Sequence, residues 1–370
     1  MAHAKDLKQT PFAAAYPEGV VEWIDVFGYA VPLTWGDPGA EYDAVRNRAA
    51  AMEFSMLLKW DIEGSSAVNI VNSIFSRDIS KLKSGQIAYG VVTSELGKMV
   101  DDCTVFVYGP EHLRVFGGNP QVGEFLERES DQTVTVAQRR DELAQLSVQG
   151  PASREILQQL TAADLSNDAL PYYRFLTDVA MAGMMVQVSR IGFTGELGYE
   201  IMLPVAQAQQ FWNTLFEVGK PQGLLPAGAA VVMMCRIESG MIMADLEYDG
   251  TMTPYECRMG WAVDLQKKDF QGKKALLDAK DSPSVTVVSV VLSNEGEYDG
   301  IPLRVNGEEV GLVTMAVPSP YLDGQFLGLA RVNTSHANVG SLLEIGDAKT
   351  ATATVVKTPV YDADRIRVKS

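Results

Sequence analysis

Cysteine, histidine and basic residues are all in short supply. The 370-residue chain has three cysteines, Cys103, Cys235 and Cys257, far apart and odd in number. Without a Cys-x-x-Cys pair they suggest neither a disulfide framework nor a zinc site. His3, His112 and His336 are widely scattered, which argues against a histidine triad or a histidine metal cluster. Lysine and arginine total 31 against 47 acidic residues, a net charge of −16. That balance argues against a nucleic-acid backbone as partner, and equally against an anionic membrane surface. No apolar run approaches the ~18 residues a membrane span needs. The opening MAHAKDLKQTPF has no apolar core of signal-peptide type. A reducing cytoplasm is the simplest home these absences leave.

What is present is ordinary globular composition, 46% hydrophobic and 21% charged, with length for two or three domains. The informative stretch is VQVSRIGFTGELGYEIML (186–203), which reads as a strand, a glycine-punctuated turn and a second strand. In the second strand Tyr199, Ile201 and Leu203 point one way and Glu200 and Met202 the other. Glu200 is thus a carboxylate inside an apolar strand, costly unless paired or hydrogen-bonded. Either Arg190 on the adjacent strand supplies the partner, or a ligand does. A second anomaly lies in MVDDCTVFVYG (99–109), the second strand of a hairpin begun by IAYGVVT (87–93). Adjacent aspartates in a strand face opposite ways, so one of Asp101 and Asp102 points inward if either face is covered. Tyr89 falls roughly opposite on the partner strand. Cys103 reads as core.

Periodicity predicts helices over Glu41–Met52, Val122–Arg128, Ala206–Val218 and about Ala227–Met243. Past Leu277 the texture changes. AKDSPS (279–284) reads as a linker, and the short strands beyond it, with an Asn306-Gly307 hairpin turn, predict a small all-β module. The expected division is 1–280, two interleaved α+β lobes, and 281–370, a β-barrel.

Four stretches together resemble the folate-dependent aminomethyltransferase (glycine-cleavage T-protein) family. They are GKMVDDCTVFVYG (97–109), LSVQGP (146–151), VSRIGFTGELGYEI (188–201) and TPYECRMGWAVDLQKKDFQGKKAL (253–276). EVGLVTMAVPSPYLDGQFLGLARV (309–332) is similar to the family's C-terminal barrel. The resemblance implies an α+β fold, a three-domain cloverleaf of two ferredoxin-like lobes and a barrel around a central folate channel. By motif, it places Asp102 beside the reactive nitrogen of tetrahydrofolate and Glu200 on the pterin, with Tyr89 lining the pterin pocket. Phe193 and Arg236 join the implied cofactor-binding set, Arg236 (with Lys357) toward the folate glutamate tail. These roles are physically sensible, because an aminopyrimidinone presents adjacent N–H donors that one carboxylate accepts in parallel.

The sequence also departs from the family. Its usual Asp-Val-Ser-His-Met is here Glu53-Phe54-Ser55-Met56-Leu57, and an Arg-Asp pair has become Val232-Met233. The closest likeness is to the demethylase branch typified by dimethylsulfoniopropionate demethylase. The implied activity is movement of a methyl group from a small onium or methoxy donor to N5 of tetrahydrofolate. Two alternatives stay open: an aminomethyltransferase of glycine cleavage or amine demethylation, forming 5,10-methylenetetrahydrofolate, and a non-catalytic folate-binding protein. Trp35, Trp60, Tyr172 and Tyr173 are aromatic candidates for an onium pocket.

Overall fold

The computed structural model describes residues 6–16, 22–346 and 351–370, so His3 lies outside the described residues. Two large open sheets, a small sheet of Lys8–Gln9, Tyr29–Thr34 and Glu22–Val26, and a barrel carry the chain. The first sheet has the order Gln86–Thr93, Met99–Gly109, His112–Gly117, Leu58–Gly64 and Val134–Gln138. The helices Ala67–Ile74 and Gln121–Glu129 bury Ile70, Val71, Val122 and Leu126 against one of its faces. The second sheet runs Phe175–Met181, Met184–Ser189, Gly198–Pro204, Leu143–Gln149, Ala49–Glu53 and Leu224–Pro226. Helices Ser153–Gln158 and Ala208–Gly219 cover it with Ile156, Leu157, Phe211 and Leu215. Because Ala49–Glu53 belongs to the second sheet, the whole first lobe is inserted between two strands of its neighbour. The strands Val285–Leu292, Gln325–Asn333, Glu308–Ser319, Pro302–Val305, Leu342–Ile345 and Ala351–Val356 close into a six-stranded barrel. The cloverleaf expected from the sequence is the fold observed.

The helix-free faces of the two open sheets meet. Ile87, Phe106 and Phe116 from the first pack on Phe175, Ile191 and Met202 of the second lobe. The Tyr108 hydroxyl donates to Gln187 Oε1 across the seam. The barrel closes one side of the first lobe through Leu327 and Leu329, which pack with Val91, Met99 and Tyr248.

Two helix predictions are corrected. The segment predicted as one helix over Glu41–Met52 is a helix over Pro38–Asn47 and then the strand Ala49–Glu53. Alanines have high helix propensity, but small side chains also suit a central strand flanked closely on both sides. Here Ala49–Ala51 pairs in parallel with Leu224–Pro226, and Ala50–Glu53 pairs antiparallel with Leu146–Gln149. The later helix covers Ala229–Glu238 and stops short of Met243, because Gly240 turns the chain with φ +64°.

Arg46 ties the second lobe to the helix Ala229–Glu238 and to the C-terminal segment. Its guanidinium reaches Glu238 Oε2 at 2.6 Å and Glu196 Oε1 at 3.1 Å, and lies 3.8 Å from the Tyr361 ring centroid. Arg367 binds the other oxygen of Glu196 at 2.7 Å. Removing one partner of such a buried pair strands its charge. Arg46→Met is therefore expected to lower the unfolding free energy by about 3–5 kcal/mol. Arg48→Met, which breaks the exposed pair with Asp43 and a long bond to the Ala40 carbonyl, is expected to cost about 0–1 kcal/mol. Denaturant midpoints of the two variants check the contrast.

Candidate active site

The site grows from the hairpin Gln86–Thr93/Met99–Gly109. The pairing slips between Val92–Asp101 and Thr93–Met99, so Val100 is an extra residue on one strand. A bulge of this kind raises the local twist and re-aims neighbouring side chains. Asp101 and Asp102, which would otherwise face strictly apart, both reach one hydroxyl. Tyr248 Oη donates to Asp102 Oδ1, accepts from the Asp102 amide at 3.1 Å, and lies 3.2 Å from Asp101 Oδ1. Tyr89 pairs in register with Thr104, and its hydroxyl crosses the diagonal to donate to Asp102 Oδ2 at 2.7 Å. Asp101 Oδ2 accepts two backbone N–H groups, from Gly118 at 2.8 Å and Asn119 at 2.9 Å.

The hydrogen count at Tyr248 is informative. A phenol has one proton to give. If both carboxylates were ionised, one close O···O contact would set lone pair against lone pair. One added proton, on Asp101 Oδ1, satisfies every contact: Asp101 donates to Tyr248 and Tyr248 donates to Asp102. The electrostatics agree. Burial, and then the charge on Asp102, push the Asp101 carboxyl up to about 7. Burial also raises Asp102, while the Tyr248 and Tyr89 hydroxyls pull it back.

Glu200 stands on the helix-free face of the second sheet, beside Met202, and so faces the same inter-lobe space as Tyr108 and Phe106. The sequence left Arg190 or a ligand as its partner. Arg190 is elsewhere: its Nη1 and Nη2 donate to the carbonyls of Val368 and Ser370 at 2.8 and 2.7 Å. Among the described residues the only hydrogen bond to the Glu200 carboxylate comes from Gln145 Nε2, at 2.7 Å. Burial pushes the Glu200 carboxyl up to about 7, opposed by that bond and by the charge of Lys59. Lys59 is itself buried, which drives it down to about 7.

The glycine-rich turn before Glu200 is shaped around Gln149. A Cβ on Gly192 or Gly198 would fall 2.1–2.2 Å from the Gln149 amide. That amide accepts from Thr194 Oγ1 at 2.9 Å and donates to the Ile191 carbonyl at 3.1 Å, holding the turn shut. Phe193 projects from it into a half-buried cluster with Phe54, Met233 and Met234. Met233 and Met234 also touch the apolar group that holds Tyr89 and Tyr248. The structure thus brings Asp102, Tyr89 and Phe193 toward one region, with Glu200 on the facing sheet. Arg236 does not join them. It is fully buried, donating to Glu247 Oε2 at 2.6 Å, and its placement lends no support to a contact with the folate tail. Of the aromatic candidates, Trp60 is core behind the first sheet, and Trp35 stacks on Trp212 on the helical side of the second. Among the described residues Asp61, Glu63 and His112 could together hold a metal ion. Arg114 and Arg139 already occupy both Asp61 oxygens, which leaves a cation little to gain.

Tyr248, Gln145 and Lys59 were not singled out from sequence. Gln145 did carry a signal, since Gln145, Ser147 and Gln149 alternate with apolar residues along one strand. Tyr248 sits in an irregular loop and carried none.

Comparison with known proteins follows this geometry. The GCVT N-terminal domain matches residues 14–267, and the glycine cleavage T-protein C-terminal barrel domain matches 286–362. An aminomethyltransferase of Thermoanaerobacter sp. (strain X514) is 32% identical over 92% of this chain and 93% of its own. A trimethylamine-oxide aldolase of Ruegeria pomeroyi is 32% identical over 100% of this chain, which corresponds to 49% of that protein. The crystal structure of the glycine cleavage system aminomethyltransferase T from Bartonella henselae superposes with a TM-score of 0.86 at 23% identity, covering 96% of this chain and 98% of the other. It shares the fold. With both domains matched in order, the chain belongs to the aminomethyltransferase (glycine-cleavage T-protein) family of folate-dependent one-carbon transferases.

Proposed function

We propose that this chain transfers a one-carbon unit at the methylene level from a small aminomethyl donor to tetrahydrofolate. The observation that carries the reading is the pair of carboxylates sharing a proton through Tyr248. Tetrahydrofolate supplies nucleophilic nitrogens that accept the carbon. The residues fit it: Glu200 is a buried carboxylate with one of its acceptor positions filled by protein, leaving the rest for the adjacent N–H groups of a pterin. Phe193, Phe54 and the two methionines would enclose the donor.

The preference for methylene over methyl transfer is a matter of protons. An onium methyl leaves behind a neutral group, and no acid is required. In methylene transfer each nitrogen that bonds the carbon gives up a proton, and each departing group takes one. Asp102 accepts a proton at its carboxylate, and Tyr248 connects that carboxylate to the proton held on Asp101. The two aspartates thereby manage proton traffic near neutral pH without either ion standing alone. Positioned acid–base groups of this kind contribute about 10²–10⁴-fold. The match to the trimethylamine-oxide aldolase over the whole of this chain supports a small amine on the donor side. Loss of the family's histidine and Arg-Asp pair speaks against the glycine-cleavage donor.

Methyl transfer is the second reading, favoured by one observation. The cluster of Phe54, Phe193, Met233 and Met234 is apolar and polarisable, as a desolvated onium would want. Incubation with tetrahydrofolate and a panel of aminomethyl adducts of small amines and of sulfonium and ammonium methyl donors separates the two. Methylenetetrahydrofolate, identified by mass, is the expected product; 5-methyltetrahydrofolate as sole product would sink the proposal.

Three further outcomes follow from the dyad. Asp102→Asn is expected to lower kcat by about 10²–10⁴-fold with a smaller change in folate affinity, measured by steady-state kinetics and direct titration. Turnover needs one proton on the pair. Above about 7 Asp101 loses it, so kcat declines as pH rises through that value; on the acid side Asp102 gains a second proton and kcat declines again. Tyr248→Phe is expected to cost about 10²-fold in kcat and to displace the alkaline limb, with the KM for tetrahydrofolate near wild type.

A further inference from the structure

Glu200 and two buried polar groups beside it have unfilled hydrogen-bonding capacity. Gln145 lies in register with Met202, one diagonal step from Glu200, and its side chain shares the face turned to the first lobe. Its Nε2 is spent on Glu200. Its Oε1 is buried with no hydrogen-bond partner, though the residue is only 3% exposed. Acceptors stranded at that depth are uncommon in folded proteins. Lys59 is fully buried, and its Nζ donates to the carbonyls of Ser55 at 3.1 Å and Leu57 at 2.9 Å. An ammonium has three N–H groups, so one remains. No carboxylate is within ion-pair distance of that nitrogen among the described residues, yet the charges of Glu53 and Glu200 act on it.

Ser55 ties these groups together. Its carbonyl accepts from Lys59, its hydroxyl oxygen accepts from the Gln145 backbone N–H at 2.8 Å, and its own N–H donates to Glu53 Oε1 at 2.9 Å. The segment in which the sequence departs from its family, Glu53–Leu57, is therefore what holds Lys59 and Gln145 at Glu200.

We infer that Lys59 and Gln145 complete the pterin-reading edge that Glu200 begins, with Gln145 Oε1 accepting the second N–H of the 2-amino group and Lys59 donating its remaining N–H to the 4-oxo oxygen. This rests on the reading that tetrahydrofolate binds at Glu200. Across that edge a 4-oxopteridine offers an acceptor at O4 and donors at N3 and the 2-amino group. Lysine, carboxylate and amide oxygen are the complement of that pattern. A 2,4-diaminopteridine reverses it at two places: its 4-amino group would face the lysine N–H, and its N3 lone pair would face the carboxylate. The site is thereby built for oxo over diamino pterins, since a group meeting the wrong partner in a buried site leaves both unpaired.

Binding titrations of the full chain test this without reference to turnover. The probes are 5-formyltetrahydrofolate and a 2,4-diamino antifolate, read by calorimetry and by the ligand-induced rise in melting temperature. Wild type is expected to bind the oxo compound at least about ten-fold more tightly. Gln145→Met and Lys59→Met are each expected to weaken that binding by about ten-fold or more, and Lys59→Met to erase the preference for the oxo form. If wild type binds 5-formyltetrahydrofolate but Gln145→Met binds it equally well, the inference fails and the proposed function stands. If wild type binds no reduced folate, the proposed function fails with it. Should a variant not fold, wild-type discrimination decides: equal affinity for the two pteridines overturns the inference.

Discussion

Two carboxylates at adjacent positions of one strand, buried together, are the constraint around which this molecule is arranged. Alone, Asp101 and Asp102 would repel each other and resist burial. The bulge at Val100 turns both toward one point, and the point is a hydroxyl contributed from far along the chain. Tyr248 reaches them because its loop is pressed between the first lobe and the barrel, packed with Met99 and Val91 on one side and Leu327 and Leu329 on the other. A hydroxyl from a loop outside the first sheet therefore ties the two acids together, and the barrel's part is to hold that loop in place through Leu327 and Leu329.

The second dependence lies in the seam between the open sheets. Most of that seam is aromatic and aliphatic, as Phe106, Phe116 and Met202 show. Toward Glu200 it becomes polar, with Lys59, Gln145, Ser147 and Gln149 all buried. Burying this many polar groups is unfavourable unless each finds a partner, and most do. Beside Glu200 the exception is Gln145 Oε1, which has no partner among the described residues. An apolar seam would have been the more stable solution; a polar one with vacant hydrogen-bonding capacity makes sense if a polar ligand enters it.

Much of this was legible in the sequence, for reasons that differ by element. Alternation in Tyr199–Leu203 put Glu200 on the face opposite the helices, and the structure has it there. The adjacent aspartates announced themselves because charge inside a strand is anomalous. The texture change after Leu277 marked the barrel, and Asn306-Gly307 its first hairpin turn. The misses have physical causes. Helix propensity in the alanine run lost to tertiary pairing, since Ala49–Ala51 fills a narrow slot between two strands. Of the two partners the sequence left open for Glu200, Arg190 is drawn instead to carbonyls of the last residues of the chain. Arg236 matched a family pattern, but a partner eleven positions on, Glu247, captures it. Tyr248 depends wholly on long-range packing, which local pattern cannot report.

The departures from the family pattern acquire a common logic in the structure. Glu53 takes the Ser55 amide and a hydrogen bond from the Tyr16 hydroxyl at 3.1 Å, which seats the loop on the second lobe. From that seat Ser55 fixes Lys59 on the first sheet and Gln145 on the second. One short segment thus spans the seam and touches both groups flanking Glu200, while its neighbour Phe54 enters the cluster with Phe193. Ser55 keeps the family's residue while Glu53, Phe54, Met56 and Leu57 depart from it; on the function proposed above, changes around that serine would act on the donor and the pterin together.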